Sequence, residues 1–508
     1  MALHALLHLL NVYYQGCLPY NVLVITVCTM LYKLFFSKSF YCRFRRFGRP
    51  WYLPLLPSKP VHDLVAQGYR EKNNEPFVVR WWARDWLVLP PKYLRDVKHS
   101  NSESLSFFRA IDEALGLHYS VGNLYHSQKM SEVIKKGMNT QLPTLTEPIV
   151  SEVEHAIESH IGTSKEWKEI PAARTISRLV NQVACRMLIG PELCRDQAFL
   201  DATLAFMESI FFHAIITIAV PFGPFRRLFA KLVAFSHRRN LRKAMQMLQP
   251  LVARRIRERE DDESKSNRNN DGIQWTLDLT EATKRDPYQI SLEVLHNLFA
   301  GSLAPGSMVT ELVFQALMDF NLLEQLRNEA SQAIELYGWT EKLLANLPLQ
   351  DSFIRELNRV YPTGATGCSR LVMDKSFTFH DGLTVPRGTR ITFPIQAVLH
   401  DVDNFENPSV FDPYRFFNKR STVSEDHATE YQWAASTATP TNLAFGYGKH
   451  VCPGRFYCVR QCKIIFTKIL VDYEIGWSSP MKERPRRDEI EGQFGTNKSQ
   501  TIRVRRRG

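Results

Sequence analysis

One cysteine near the C-terminus stands in a short loop that glycine and proline shape. The loop runs from Phe445 to Arg455, reads FGYGKHVCPGR, and has Cys452 directly before a proline and a glycine. Glycine reaches backbone conformations that are closed to other residues, and proline stiffens the exit from the cysteine. Backbone amides crowded around the sulfur stabilise a thiolate, the form in which cysteine binds a metal. The loop therefore predicts that Cys452 is presented as a metal ligand.

A helix is predicted directly after this loop, because apolar residues recur at helical spacing from Arg455 to Tyr473. The positive N-terminal end of such a helix favours an anionic sulfur. The chain has nine cysteines, and the other eight form no paired C-x-x-C clusters, which argues against structural zinc and a ferredoxin-type cluster. For Cys452 taken alone, a buried structural thiol is the alternative.

The cysteine loop resembles the haem-binding loop of the cytochrome P450 superfamily. Phe445, Gly448, Cys452 and Gly454 stand at that family's spacing, and His450 stands where the family places a basic residue. The resemblance implies a haem cofactor held by these five residues, with Cys452 as the axial ligand of the iron. It also implies a single, mainly α-helical catalytic domain with a small β region.

A pair of opposite charges precedes the loop at about the family's distance. Glu356 and Arg359 stand three residues apart, on one face of a predicted helix. An exposed pair of this kind contributes only about 0–1 kcal/mol and indicates little by itself. Arg415, in the segment FDPYRF between the pair and the loop, resembles the family's further arginine. The resemblance implies that the three residues form a buried ionic triad behind the haem.

Haem carries two propionates, which need cationic or hydrogen-bonding partners. The resemblance assigns this role to His450 and to Arg370, because the family commonly sets an arginine at the start of the strand there. Lys135 or Lys136 is the candidate from an earlier helix, and a solvated lysine is the alternative for that position.

An apolar helical stretch from Leu292 to Phe320 matches the long helix that crosses the oxygen-binding face of haem in this family. The family usually has an acid or histidine followed by threonine there, for proton delivery. This chain has Ala304 and Pro305, followed by Gly306. Proline cannot donate a backbone hydrogen bond, so a kink in the helix is expected.

The missing pair leaves three classes of function open. The first is an oxygen-inserting monooxygenase, in which Ser302 or Ser307 holds a water that replaces the alcohol. The second is a haem-thiolate enzyme for peroxide-driven oxidation, dehydration or rearrangement, and the third is a haem-binding protein without turnover. The monooxygenase is favoured, and apolar-rich segments predict a lipophilic substrate. Local resemblance to fungal microsomal members implies a terpenoid or polyketide intermediate of secondary metabolism.

The N-terminus is predominantly apolar, and Lys33 is the only strong charge in residues 1–36. Residues 18–36 are about long enough to cross a ~30 Å hydrocarbon layer. Five basic residues follow between positions 38 and 49, which predicts a luminal N-terminus and a cytoplasmic body. We therefore expect a single-pass anchor in the endoplasmic reticulum membrane. A cleaved signal peptide and a buried helix are the alternatives.

The predicted organisation is an anchor region at 1–36, a basic, proline-rich connector at 37–60 and a catalytic domain at 61–508. Neither a convincing dinucleotide fingerprint nor the length for a flavin module is present. The resemblance thus implies electrons from NADPH–cytochrome P450 reductase, with cytochrome b5 as a second candidate donor. The net charge of +12 predicts a basic docking face around Lys449 and Arg455. Nucleic acid is not expected, because the basic residues are scattered and no nucleic-acid module is visible.

Overall fold

A computed structural model describes most of the chain after the N-terminal region: residues 40–48, 59–72, 74–81, 84–101, 103–219, 226–261, 269–421 and 431–508. The predicted anchor at 1–36 lies outside these residues, as does most of the predicted connector at 37–60. Within the described ranges, no helix is both long and apolar enough to cross a membrane.

Helices dominate the described residues, as the sequence predicts. Side chains cap the starts of two long helices: Asp286 accepts hydrogen bonds from the amides of Tyr288 and Gln289, and Asp319 accepts one from Leu322. The helices are α1 (Val61–Lys72), α2 (Leu94–His99), α3 (Phe107–Leu115), α4 (His118–Val121), α5 (Lys129–Glu132), α6 (Asn139–Gln141), α7 (Thr146–His160), α8 (Ala172–Leu188), α9 (Gln197–Ala219), α10 (Arg226–Asp261), α11 (Gly272–Asp278), α12 (Pro287–Ala316), α13 (Phe320–Tyr337), α14 (Glu341–Ala345), α15 (Pro348–Val360), α16 (Ile395–Leu399), α17 (Arg415–Ser421) and α18 (Arg455–Asp472).

Short strands form small sheets beside the helices. The largest sheet has the strand order β1-β2-β3-β9-β6-β4, a second has the order β10-β13-β5, and β7-β8 and β11-β12 are hairpins. The short β-type runs 77–80 and 86–89 are separated by a polar break, which predicts a hairpin, and β2 and β3 are indeed antiparallel neighbours. The strands are β1 (Arg46–Phe47), β2 (Phe77–Trp81), β3 (Arg84–Val88), β4 (Leu105–Ser106), β5 (Lys168–Pro171), β6 (Gly367–Val372), β7 (Ser376–Thr378), β8 (Thr384–Pro386), β9 (Arg390–Phe393), β10 (Tyr473–Trp477), β11 (Asp488–Ile490), β12 (Gln493–Gly495) and β13 (Thr501–Arg506).

Helix α12 lies in the middle of the core and packs against α8, α10 and α18. Its apolar side chains, among them Leu295, Val309 and Phe314, are buried. Ala300 and Ala304 are exposed, although they belong to this central helix. They are four residues apart and so lie on one helical face. This face, which we call the open stripe, therefore borders a space within the fold.

Two predicted boundaries were wrong, and local interactions explain both. The apolar stretch 292–320 is not one helix, because α12 ends at Ala316 and Asp319 caps a new helix. The stretch 254–270 is charged and almost without apolar residues, which predicts a solvated loop, but its first part is helical because α10 continues to Asp261. Arginine and glutamate are good helix formers, and Arg254 pairs with Glu258 one turn later at 3.4 Å.

Candidate active site

The cysteine loop turns tightly before α18. The amide of Cys452 donates to the carbonyl of Phe445 at 2.8 Å, which closes the loop. Gly448 has a φ of +73°, and a Cβ on it would lie 2.5 Å from the Cα of Lys98. Both the left-handed backbone and the close approach require glycine. At Gly454 a Cβ would meet no atom of the described residues within 4 Å, so there is room beside it.

The Cys452 sulfur lies at the N-terminal end of α18 and is partly buried. Burial, followed by the nearby Cys458 sulfur, raises the pKa of Cys452 to about 11. Backbone hydrogen bonds from Gly454 and Arg455 act in the opposite direction and favour the thiolate. Because a bound metal deprotonates a coordinating thiol outright, the site suits a metal-bound thiolate better than a free one.

Side chains from outside the loop hold its carbonyls. Arg455 donates to the carbonyl of Cys452 at 3.0 Å, and Asn139 donates to that of Pro453 at 3.0 Å. Lys135, in the π-helical turn that joins α5 to α6, donates to the carbonyl of Lys449 at 3.4 Å. The segment around α6 is thereby fastened to the cysteine loop. Asn139 was not predicted, since nothing in its local sequence indicates this contact.

Three cations surround His450, and we call His450, Arg370, Lys135 and Lys449 the cationic cluster. Burial, then the charges of Arg370, Lys135 and Lys449, lowers the pKa of His450 to about 4. Burial lowers the pKa of Arg370 to about 10. Arg370 is 1% exposed, and its Nε and Nη2 find no hydrogen-bond partner among the described residues. Lys135 and Lys449 are exposed beside the buried Arg370, so a positively charged group inside the fold is continuous with positive charge at the surface, which favours an anionic ligand.

Phe107 adds an aromatic wall to the cluster. Its ring stacks on that of His450 with centroids 6.1 Å apart, and the Arg370 guanidinium lies 5.8 Å from its centroid. The cluster thus joins the cysteine loop, strand β6 and the start of α3. From the sequence alone, Phe107 is only the first residue of an apolar-rich segment, 107–122, that is expected to face the substrate.

Glu356, Arg359 and Arg415 come together in the fold. Two hydrogen bonds of 2.7 and 2.8 Å join Arg359 to the Glu356 carboxylate, and Arg415 Nε donates to it at 3.2 Å. Glu356 is 0% and Arg359 1% exposed. Arg359 also donates to the carbonyls of Leu399 and Pro408 at 2.9 and 2.7 Å. The charges therefore connect α15 to the irregular segment before α17.

Pro305 lies inside α12, and three hydroxyl side chains of the helix stand near it. Ser302 donates to Asn181 on α8 at 3.1 Å, and Ser307 shares a 2.6 Å hydrogen bond with Thr496. Thr310 donates to the carbonyl of Gly306 at 2.8 Å. Each of these hydroxyls already has a protein partner. Ser302 is also buried and is not a surface serine, and its hydroxyl oxygen keeps acceptor capacity for the predicted water.

Sequence reasoning missed a buried polar pair at the other end of the open stripe. The Tyr125 hydroxyl and His296 Nδ1 are 2.9 Å apart and hydrogen-bonded. Burial, then the charge of His237, lowers the pKa of His296 to about 3, so its imidazole is neutral at pH 7. His296 stands four residues before Ala300 and eight before Ala304, hence on the same helical face. The four-residue spacing of His296, Ala300 and Ala304 was the one sequence signal that could have placed His296 on the open stripe.

Basic residues line two adjoining grooves on the surface beside the cysteine loop. The larger groove has a volume of about 580 Å³ and the smaller about 320 Å³, and Lys98, His99, Pro440 and Tyr447 line both. The larger is also lined by Lys449 and Arg455, and the smaller by Lys92 and Arg95. This surface contains both residues around which the basic face was predicted.

Comparisons with known proteins agree with this geometry. Residues 116–502 match the family model described as Cytochrome P450. The chain is similar to the cytochrome P450 monooxygenase sirB of Leptosphaeria maculans, with 36% identity over 95% of this chain and 94% of the relative. It is also similar to an ent-kaurene oxidase of Gibberella intermedia, with 28% identity over 91% of this chain and 86% of the relative.

A solved structure, the retinoic acid-bound cyanobacterial CYP120A1, resembles the fold with a TM-score of 0.65. The likeness covers 91% of this chain and 99% of that one at 14% identity, and it bears on the fold alone. The match to the family model and the extent of identity to sirB decide the family. The chain belongs to the cytochrome P450 family and is a P450 monooxygenase.

Proposed function

We propose that this P450 binds haem through the Cys452 sulfur and oxidises a lipophilic small molecule, a terpenoid or polyketide intermediate of secondary metabolism. The observation that carries the proposal is the Cys452 sulfur at the N-terminal end of α18, with two backbone amides directed at it. When bound, haem supplies an iron centre for redox chemistry with dioxygen, and a thiolate ligand favours cleavage of the O–O bond.

The residues around Cys452 fit a haem. Two donors of the buried Arg370 lack a partner among the described residues, and a propionate would satisfy them with charge-assisted hydrogen bonds. We assign the same role to His450 and Lys135, whose pKa values are lowered first by burial and then by neighbouring positive charges. The room beside Gly454 allows a planar ligand to approach the loop. The ionic triad then holds the segment behind this ligand in place.

A lipophilic substrate is supported by the groups at the edge of the core. Phe108, Ile111, Leu115 and Phe299 are only partly buried where they pack on it. Ala300 and Ala304 present no side chain beyond a methyl group, so a ligand can approach the open stripe closely. Relatives named as ent-kaurene oxidase and as fungal P450 monooxygenases support the class of substrate.

Replacing Cys452 with histidine tests the proposal. Wild-type protein is expected to give the Soret band of a thiolate-ligated haem in its carbon monoxide difference spectrum. Cys452→His should lose that band, because a neutral imidazole does not donate charge to the iron as a thiolate does. Cys458→Ala is the matched control, since it removes a neighbouring buried thiol that is not the proposed ligand. A thiolate-type band retained in Cys452→His would exclude Cys452 as the ligand.

The source of electrons distinguishes monooxygenation from the peroxide-driven alternative. That alternative remains open because Ala304 and Pro305 stand where the family usually has its proton-delivery pair. Under the proposal, turnover needs NADPH and a P450 reductase. Full turnover with peroxide, in the absence of both NADPH and reductase, would favour the alternative.

We also propose that residues 1–36 anchor the chain in the endoplasmic reticulum membrane, with the catalytic domain in the cytoplasm. A membrane-bound reductase can reach the domain there, and cytochrome b5 is a second candidate electron donor.

The basic grooves are the proposed docking surface for the reductase. Arg95 and Lys98 are exposed there, and neither belongs to the cationic cluster. Arg95→Glu with Lys98→Glu is expected to raise the KM for reductase about tenfold at low ionic strength, because charge complementarity accelerates encounter. The difference should shrink as salt is added. The matched control reverses the exposed Lys165 and Lys168 outside the grooves, and an equal effect there would contradict the assignment.

A further inference from the structure

Cys368 adopts a backbone conformation that is unusual for a residue in a buried strand. Its φ is +51°, and it is only 7% exposed. The other non-glycine residues with positive φ in the described part of the chain, Asn74, Asn407 and Glu491, lie in exposed turns and bends. A left-handed conformation is strained for a residue with a Cβ, and it persists where the surroundings enforce it. Such residues concentrate at functional sites.

The strained residue lies in a β-bulge. Gly367 and Arg370 of β6 pair with β9 on either side of a shift in register, so two residues of β6 face one of β9. Bulges re-aim the side chains that follow them. Arg370 is the first residue paired after the shift, and it reaches the cationic cluster from there. Its Nη1 donates to the carbonyl of Ser369 at 2.8 Å, which leaves Nε and Nη2 for a ligand.

The sulfur of Cys368 lies against the loop that presents Cys452. A Cβ built on Gly446 would lie 3.9 Å from this sulfur, in ordinary contact. Burial raises the pKa of the Cys368 thiol, and the charge of Arg370, followed by a backbone hydrogen bond from the Tyr447 amide, partly offsets that rise. On the other side, a Cβ on Gly367 would lie 2.2 Å from Ile395, so the strand is packed closely there too. The bulge is therefore confined on both sides.

We infer that Cys368 is a positioning residue for Arg370. The hydrogen bond of its sulfur with the Tyr447 amide, next to Gly446 in the cysteine loop, holds residue 368 in the left-handed conformation. That conformation maintains the bulge, and the bulge directs the Arg370 guanidinium at the anionic groups of the cofactor. The inference rests on the proposed haem.

Substitutions of Cys368 separate the backbone from the sulfur. Cys368→Ala keeps the Cβ and its strain but loses the sulfur contact, so residue 368 is expected to relax and displace Arg370. Haem should then transfer to excess apomyoglobin about tenfold faster than from wild type. A tenfold change is the smallest effect expected when a hydrogen bond to a charged group is lost. Cys368→Gly should stay within about twofold of wild type, because glycine adopts a positive φ freely.

Both results are needed for the inference. An unchanged transfer rate in Cys368→Ala overturns it. A rate in Cys368→Gly as high as in Cys368→Ala also overturns it, because the backbone conformation would then have no role. Cys185→Ala removes another buried thiol, from the regular helix α8, and should leave the rate unchanged.

A double variant tests whether Cys368 acts through Arg370. With Arg370→Met already present, Cys368→Ala is expected to add less than about twofold, because coupled residues are not additive. A full additional tenfold effect would show that Cys368 acts on something else. The carbon monoxide spectrum of wild type is recorded first: without a thiolate-type band the proposed function itself fails, and with it the transfer rates decide this inference alone.

Discussion

Glu356→Ala is expected to abolish haem incorporation and to destabilise the fold by about 3–5 kcal/mol, the usual result of removing one partner from a buried ion pair. The Glu356 carboxylate accepts hydrogen bonds from Arg359, Arg415 and the amide of Asp412. Without it, two guanidinium groups stay near a site from which water is excluded. Haem per polypeptide in the purified variant and its unfolding in urea measure the effect.

A pair with the same spacing elsewhere in the chain provides the control. Glu281 and Lys284 are also three residues apart and 2.8 Å from each other, but their side chains are 70% and 69% exposed. Glu281→Ala should change stability by less than about 1 kcal/mol, because solvent screens exposed pairs. It should leave haem content unchanged. Normal haem content in Glu356→Ala, or an equal loss of haem in both variants, would show that the buried triad is not specifically required for haem incorporation.

Local sequence predicts features that depend on local spacing alone. The glycines around Cys452 need only a loop, and the three-residue interval puts Glu356 and Arg359 on one turn of helix, but only the family resemblance implied that this pair is buried. Arg415 required the family resemblance, because it meets the pair only after a long irregular segment has folded back. Arg359 also donates hydrogen bonds to the carbonyls of Leu399 and Pro408. These contacts could not be predicted, since a backbone carbonyl has no sequence signature.

Other features depend on tertiary structure and leave no trace in sequence. Tyr125 and His296 are 171 residues apart, and only the packing of α12 against the segment after α4 brings them together. Cys368 has a positive φ although cysteine has no preference for it, so the neighbours of the residue decide its conformation. The position of Arg370 was predictable, but the bulge that aims its side chain was not.

Arg370→Met is expected to move the stability of the apoprotein and the retention of haem in opposite directions. In the apoprotein the buried Nε and Nη2 have no partner among the described residues, so removing them should raise the free energy of unfolding by about 1–3 kcal/mol. In the holoprotein the same change removes the proposed partners of a propionate. Haem transfer to apomyoglobin should therefore become at least about tenfold faster.

Arg355→Met distinguishes this effect from the removal of any buried arginine. Burial lowers the pKa of Arg355 to about 10, as it does for Arg370. Arg355, however, donates to the carbonyls of Gln432 and Ala434, and its guanidinium lies 4.4 Å from the Phe416 ring centroid. Its loss should lower the stability of the apoprotein. If both variants lower the stability of the apoprotein, Arg370 already has a partner there and does not await an anion. If Arg370→Met raises that stability while Arg355→Met lowers it, the buried charge of Arg370 destabilises the apoprotein and is compensated only when an anionic ligand binds.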